Sequence, residues 1–541
     1  MQVKMLWGGS SLREALRASG RAKVAATAIA AVAATGAVAG CGGSASSDAS
    51  GGPKITQLKI AVDSVNTLDP AKATYTLYWG AMYSTPAYAA LFHVATDGKI
   101  QPQLATEWKY DNAGKTAKDK NTVFEFTLRS GVKFSDGTPL TAEAAVGWFK
   151  YFVNAKGLYS GDLGPDPKFT VTGPLSVRIE MKVPNPSLPL ILSDNGNNFG
   201  FIASPKAVAN PKLLERGTYG AGPYMLQASG TVTNDHYTFV PNPHYYDKPA
   251  VRFKSVYLKV IANPSTRLQA QQSGEYNVTL GDATTLAAAK KAGFGVHSGS
   301  QGMLFLGLDL VHDVNAPALK SVQVRQAMNY AINRDAMAKA LFGEAAKPQY
   351  GFITTDGDIS PYNFKYRYDP AKAKQLLAQA GYAKGFTVSA ICPGYFGNFG
   401  TPMMNAVAQD LQAVGVKLDL KCFPNNAAYS AYVFQFKAAM VHTLNILGNT
   451  GTTYPLYLSK NSPLAYFGGD DEIDRLYLEG ATSEDPAPAW GKMWQRFTQQ
   501  AYTIPLVTYP GIYYVSKGIG GVAVSDAHST ALPTEWFPTG K

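Results

Sequence analysis

The chain has 541 residues, with 49 Lys and Arg against 38 Asp and Glu, a formal net charge of +11 and three cysteines. That length exceeds what one hydrophobic core organises, so at least two lobes are expected. The positive excess is spread without a Lys/Arg block, which excludes the clustered basic stripe of a nucleic-acid binder. No segment beyond the N-terminal region has the roughly 18 uninterrupted apolar residues of a membrane helix.

Arg13, Arg17, Arg21 and Lys23 precede an alanine-rich apolar run over residues 24–37, too short to span a bilayer comfortably, and Val38-Ala39-Gly40 places small residues before Cys41. The arrangement reads as an export signal over residues 1–40. It resembles the lipobox of bacterial lipoproteins, which implies a diacylglyceryl group on Cys41 as the new N-terminus. Two acyl chains make a stable anchor where one is marginal. Residues 41–53 are rich in Gly and Ser and read as a flexible tether. The signal holds five basic residues and one acidic residue, so its loss leaves a net charge of +7.

Residues 55–62 read as a strand leading into Asn66-Thr67-Leu68-Asp69-Pro70. Residues 122–129 alternate as a strand, Ser130-Gly131 turns, residues 134–139 loop, and Thr141 caps a helix that buries Ala145, Trp148, Phe149 and Phe152 on one face. Residues 181–224 are dense in Pro, Gly and Asn and read mostly as loop. Asp369-Pro370 supplies an N-cap and a first-turn proline, with Gly381 where that helix should stop. Residues 386–391 read as a strand, Met404, Val407, Ala408 and Leu411 recur at helical spacing, Gly415 ends that helix, and Val416, Leu418 and Leu420 alternate as a second strand. Right-handed crossover makes the two strands of this βαβ unit parallel. Cys392 and Cys422 follow their strands by the same count and so end side by side. An oxidising compartment permits a disulfide there, and two separate small core thiols are the other reading. The class is mixed α/β, with no internal repeat.

No His-Glu-x-x-His, Gly-x-Ser-x-Gly, P-loop or Gly-x-Gly-x-x-Gly pattern occurs, so neither an enzyme nor a cofactor is expected. The seven histidines are scattered, and no metal site is expected from them. Asp470-Asp471-Glu472 reads as a helix start, where negative charge is favourable.

Several segments fall in a telling order. Leu68-Asp69-Pro70 is followed by Asp97-Gly98-Lys99-Ile100 and by Phe124-Glu125-Phe126-Thr127-Leu128-Arg129. Next come Phe134-Ser135-Asp136-Gly137-Thr138-Pro139, Gly220-Ala221-Gly222-Pro223-Tyr224 and Asn242-Pro243-His244-Tyr245-Tyr246. Val324-Arg325-Gln326-Ala327-Met328-Asn329-Tyr330-Ala331-Ile332-Asn333-Arg334 and Ile504-Pro505-Leu506 complete the series. Together they resemble extracytoplasmic solute-binding protein family 5, the oligopeptide- and dipeptide-binding receptors of ABC importers. The resemblance covers nearly all of residues 54–541. It implies a two-lobed periplasmic-binding-protein fold of the large cluster C type. Lobe one spans residues 54–300 plus 505–541, with a subdomain near residues 101–204, and lobe two spans residues 301–504. A hinge is implied near Gly302 and Pro505. The implied protein is not an enzyme. It is a monomer held outside the cytoplasm by its lipid, on a periplasmic face or on the outer surface of a single membrane, and it delivers a solute to an ABC importer permease. Peptide is the default solute, an oligosaccharide or siderophore-like solute the alternative, and a signal receptor without transport the reading from another class.

The ligand site is expected among aromatics and small polar groups of the cleft. Tyr75, Tyr78 and Trp79 follow Leu-Asp-Pro in lobe one, and Tyr395, Phe396, Asn398 and Phe399 follow the Cys392 strand in lobe two. Tyr and Trp combine large contact area with one polar handle. Peptide receptors of the family carry an aspartate, in an Asp-Tyr-x-x-Pro-like stretch, that pairs with the peptide's free amine. If Tyr454 matches the family's tyrosine, Thr453 stands at the aspartate position, and a neutral hydroxyl cannot offset a buried ammonium. Asn449, Thr450, Thr452 and Thr453 suit a neutral hydrogen-bonding ligand instead.

Overall fold

The computed structural model describes residues 55–65, 68–72, 79–116, 119–157, 159–196, 198–312, 316–352, 364–433, 435–446, 450–460, 466–524 and 530–540. The export signal, Cys41, the tether, Tyr75, Tyr78, Asn449 and the Trp79 side chain lie outside the described residues. Everything described belongs to one unit, residues 51–541.

A ten-stranded mixed sheet organises that unit. Its strand order is Val416–Phe423, Phe386–Pro393, Met440–Ile446, Gly295–Leu308, Thr503–Val515, Val278–Leu280, Gln57–Val62, Ser255–Val260, His236–Pro241 and Tyr224–Leu226. The two longest strands, Gly295–Leu308 and Thr503–Val515, pair antiparallel from Gly295 opposite Val515 to Gly307 opposite Thr503. At one end Tyr513 and Val515 enter a core built from residues between Leu58 and Leu280 together with the C-terminal Ala531 and Trp536. At the other end Leu304, Leu306, Leu308, Ile504, Leu506 and Val507 enter a second core. Met303 and Phe305 face the opposite side of the same strand, in a third cluster with Tyr477, Trp490, Trp494 and Phe497. The ladder slips twice, at Ser300/Gly302 and at Leu304/Phe305; such interruptions weaken pairing and add twist locally, and the first falls between the two ends.

A separate antiparallel sheet takes the order Ala105–Tyr110, Val123–Leu128, Ser176–Glu180, Lys168–Gly173. The helix Ala142–Asn154 packs on it, started by Thr141, whose hydroxyl accepts from the Ala144 amide at 3.2 Å. Trp148, Phe149 and Phe152 are fully buried from that helix, and Trp148 Nε1 donates to the Phe199 carbonyl at 2.9 Å.

The ordered segments turn out to be braces. Asp69 is buried and accepts from the Ala71 amide at 3.0 Å and the Tyr151 hydroxyl at 2.5 Å. Asn242 Nδ2 donates to the Gly222 carbonyl at 2.9 Å. A Cβ on Gly222 would lie 2.5 Å from the backbone of Ala87, so only glycine fits there. Arg334 is buried and donates to the carbonyls of Pro505 at 2.6 Å and Asn329 at 2.8 Å. Arg325 donates twice to the Gln500 carbonyl, at 3.0 and 2.8 Å. Charge-assisted bonds of this kind contribute about 1.5–3 kcal/mol each. Burial pushes the Arg334 guanidinium down to about 10, so it still carries its charge at neutral pH.

Phe386–Pro393 and Val416–Phe423 pair in parallel with Cys392 opposite Cys422, joined through the helix Thr401–Gln412. The two cysteines are disulfide-bonded, with Cα atoms 4.5 Å apart. The bond ties the edge strand of the ten-stranded sheet to its neighbour.

His442 lies in Met440–Ile446, opposite Leu306, and is fully buried. Neither of its ring nitrogens has a hydrogen-bond partner among the described residues. Burial pushes its pKa down to about 3. The unfolded chain, with a histidine near 6.5, therefore takes up a proton that the folded chain refuses. This contribution is fully present above about pH 6.5 and is lost as pH falls toward 3. At pH 5 the expected loss is about 2 kcal/mol. In calorimetry at pH 7 and pH 5, His442→Leu should raise the midpoint and flatten this acid slope. An unchanged slope would place the acid sensitivity elsewhere.

Candidate functional site

Strand direction locates the site before any side chain does. Met440–Ile446 runs antiparallel to Gly295–Leu308 and ends with Ile446 opposite Gly302. Phe386–Pro393 runs parallel to it, and Val416–Phe423 parallel to that, so all three point their C-terminal ends at the Ser300/Gly302 slip. From the other core, Val278–Leu280 runs antiparallel to Thr503–Val515, with Leu280 opposite Tyr513, and Gln57–Val62 runs parallel to Val278–Leu280. These also end toward the slip. Loops at the C-terminal ends of parallel strands are the usual binding position in open α/β sheets, and here two sets converge from opposite sides.

The loop after Pro393 carries one group of expected residues. Tyr395 is half-buried, its ring 4.9 Å from Phe396. Phe396 lies 6.4 Å from Tyr509, and Phe399 lies 5.0 Å from Tyr509 while stacking on Phe342 at 4.1 Å. Tyr509 is the residue opposite Gly302, so this loop is anchored at the slip itself. The Asn398 amide donates to the Leu341 carbonyl at 2.9 Å, which commits its nitrogen to holding the loop. Gly400 lets the chain pass closely, because a Cβ there would lie 2.4 Å from the Pro393 carbonyl oxygen.

The second group lies past Ile446. Thr450–Thr453 form one helical turn, continued over Tyr454–Leu458 by a wider π-helical turn. Thr450 is buried and accepts from Trp494 Nε1 at 2.9 Å. Thr452 is half-buried. The Thr453 side chain is buried at 1% exposure, and its hydroxyl has no hydrogen-bond partner among the described residues. Tyr454 stacks on Tyr477 at 3.7 Å and donates its hydroxyl to Asp474 Oδ1 at 2.6 Å. Burial and that carboxylate both push the tyrosine pKa far up, so its hydroxyl keeps its proton. Among the described residues no carboxylate is within hydrogen-bond reach of the Thr453 hydroxyl.

The supporting helices Asp471–Ala481 and Ala487–Gln499 are pinned by Asp470. Its Oδ1 caps the amides of Glu472 and Ile473, and the carboxylate accepts from Arg496 Nε and the Tyr502 hydroxyl. Burial would raise this carboxyl, but the bonds from Arg496 and Tyr502 outweigh it and hold Asp470 below the usual range. The aromatic wall of Phe305, Phe352, Phe467, Phe497 and Tyr502 beside them encloses a cavity of about 10 Å³, room for about one water. Among the described residues no group of three or more His, Cys, Asp or Glu could hold a metal ion, and no helix is long and apolar enough to cross a membrane.

The structure thus brings Phe396 and Phe399 together around Tyr509, with Tyr395 against Phe396, and sets Thr450 and Tyr454 on Trp494 and Tyr477. The sequence reading omitted Tyr509, Tyr477 and Trp494. The Pro510-Gly511 break after Tyr509 is a signal that could have marked the first, whereas the other two sit in ordinary helical apolar positions.

The family model described as bacterial extracellular solute-binding proteins, family 5 Middle, matches residues 99–463. The glutathione-binding protein GsiB of Salmonella paratyphi A is 27% identical over 368 residues, covering 65% of this chain and 66% of the relative. The nickel-binding periplasmic protein of Escherichia coli is 28% identical over 304 residues, covering 54% of this chain and 56% of its own. The chain therefore aligns with somewhat less than two thirds of the length of each. Among solved structures, the periplasmic binding protein DppA of Helicobacter pylori in complex with the peptide STSA superposes with a TM-score of 0.73 at 19% identity, covering 90% of this chain and 98% of that one. The fold is the two-lobed, cluster C type of periplasmic binding protein.

A buried hydroxyl without a partner costs about 1–3 kcal/mol. The isosteric change Thr453→Val should therefore raise the thermal midpoint of the ligand-free protein by a few degrees. A lowered midpoint would mean that the hydroxyl is satisfied in solution.

Proposed function

Because the chain belongs to the bacterial extracellular solute-binding proteins of family 5, the solute receptors of ABC importers, we propose that it captures a small polar solute between its two lobes and hands it to a membrane permease. Peptide is the default class. In this reading lobe one is residues 54–300 plus 505–541, with its subdomain near residues 101–204, and lobe two is residues 301–504. The observation that carries the reading is the convergence of C-terminal strand ends from both cores on the slip at Ser300/Gly302. Trp79 follows one set of strands, and Tyr395, Phe396 and the 450–454 turn follow the other. Relatives named for glutathione and for nickel, and a structural neighbour holding a peptide, support a small polar solute.

Thr453 narrows the class. If Tyr454 matches the tyrosine of the peptide receptors, a neutral hydroxyl stands where they place a carboxylate, and the turn lacks the charge needed to compensate a buried ammonium, whose desolvation costs several kcal/mol. The preferred solute is accordingly one without a free α-amine at that point, such as an N-blocked or modified peptide, an oligosaccharide or a siderophore. Cys41 carries the lipid that holds the receptor as a monomer at the outer face of the cytoplasmic membrane.

Native mass spectrometry of the full chain, expressed in an exporting host and extracted in detergent, tests both halves of the proposal. The expected spectrum shows loss of residues 1–40, a diacylglyceryl mass on the new N-terminus, and a discrete small solute released on denaturation. A peptide with a free amino terminus would overturn the reading of Thr453. An unmodified Cys41 would overturn the anchor, and turnover of the captured solute would make the protein an enzyme. Tyr395→Ala should lose the solute while its midpoint stays within a few degrees of wild type. A fallen midpoint with the solute retained would return Tyr395 to a packing role.

A further inference from the structure

The two halves of the molecule touch at a place far in sequence from the strand pair that joins them. The antiparallel subdomain sheet sends two loops onto the helix Asp471–Ala481. Asn121, in the left-handed region at φ 57° and joined to Asn112 by two hydrogen bonds, donates its Nδ2 to the Ala481 carbonyl at 2.9 Å. The Tyr477 hydroxyl donates to the Pro184 carbonyl at 3.4 Å. Val183 packs against the cluster that holds Tyr454, Tyr477 and Trp494. The Asn185 carbonyl accepts from the Tyr110 hydroxyl at 2.7 Å, and its side-chain oxygen caps the Ser187 amide at 3.0 Å, so this loop is stiff.

The tightest point is Gly451. A Cβ built there would lie 2.3 Å from Ser187 Oγ, 2.6 Å from Ser187 Cβ and 3.3 Å from Asn185 Oδ1. Its φ is not in the left-handed region, so glycine stands at this position for space rather than for backbone freedom. Gly451 belongs to the same turn as Thr450, Thr453 and Tyr454. A turn that faces the solute and is also gripped by the opposite lobe couples capture to closure, since a solute gains contacts from both lobes only when the grip is made.

We infer that Gly451 and Ser187, flanked by the Asn121–Ala481 and Tyr477–Pro184 hydrogen bonds, form a latch that sets how much of the protein is closed. The latch rests on the reading of two lobes that open about the Ser300/Gly302 slip. Opening breaks the Asn121 and Tyr477 bonds and lifts Ser187 off Gly451. Closing remakes them without any bond to the solute.

The test measures distances between spin labels carried by unnatural amino acids at Lys150 and Lys492, both exposed, on the subdomain helix and on Ala487–Gln499. Measurements use the full chain without added solute. Wild type should show a short and a long distance. Gly451→Ala should abolish most of the short population, and adding Ser187→Gly, which removes both atoms nearest the new methyl, should restore it. Tyr477→Phe keeps the ring stacks and removes one hydrogen bond, and should shift the ratio toward open by about five-fold. It keeps the test decisive if Gly451→Ala fails to fold. Two wild-type distances with an unaltered ratio in Gly451→Ala and Tyr477→Phe would overturn the latch and leave the receptor reading intact. One invariant distance in every variant would overturn the opening of the lobes and the latch with it.

Discussion

Two antiparallel strands, Gly295–Leu308 and Thr503–Val515, are what the rest of the molecule depends on. Their register runs from the first hydrophobic core into the second, so one ladder serves both, and the side chains at each end are spoken for by different cores. Backbone hydrogen bonding makes such a ribbon stiff along its length, and of its two register slips the one at Ser300/Gly302 falls between the cores. Met440–Ile446 and Val278–Leu280 pair antiparallel with this ribbon from its two ends, so they and the parallel strands beside them run toward the slip from both sides. In the proposed reading, the place where a solute is enclosed follows from strand direction.

Buried charge keeps the ribbon in place. Arg334 and Arg325 come from one short stretch, and each directs its guanidinium at main-chain carbonyls, Pro505 and Asn329 for the first and Gln500 and Leu319 for the second. A buried guanidinium without such acceptors would be costly. With them it works as a clamp whose geometry fixes where the second long strand begins. Asp69 does the same with the opposite sign, tying the turn after the first strand to Tyr151 of the subdomain helix.

In the proposed reading, the 450–454 turn brings capture and closure onto one small piece of chain. Trp494 holds Thr450 from behind, Tyr477 and Asp474 hold Tyr454, and Ser187 presses on Gly451 from the other half of the molecule. A carboxylate in this position would need its own compensation in the empty protein. A threonine leaves only an unpaired hydroxyl, a smaller cost that a hydrogen-bonding solute can relieve.

Much of the fold was legible in the chain. The Thr141 cap and its apolar face, the parallel strands around Cys392 and Cys422, and the helix start at Asp470 all rest on local rules of period, capping and handedness that hold whatever surrounds them. The ordered segments from Leu68-Asp69-Pro70 to Ile504-Pro505-Leu506 were enough to expect the family. What they do could not be read, because Arg334, Arg325 and Asn242 act on carbonyls brought near only by the fold. Tyr509 takes its place opposite Gly302 from strand register, and Gly451 its lack of room from Ser187 of the subdomain, neither of which is a property of neighbouring residues. Sequence alone determined the kinds of element, their order and the absence of a carboxylate at Thr453, since these are properties of neighbouring residues. Only the tertiary structure decided which loops meet and which glycine has no room for a methyl, because contacts between residues hundreds of positions apart depend on strand register and on how the two cores are joined.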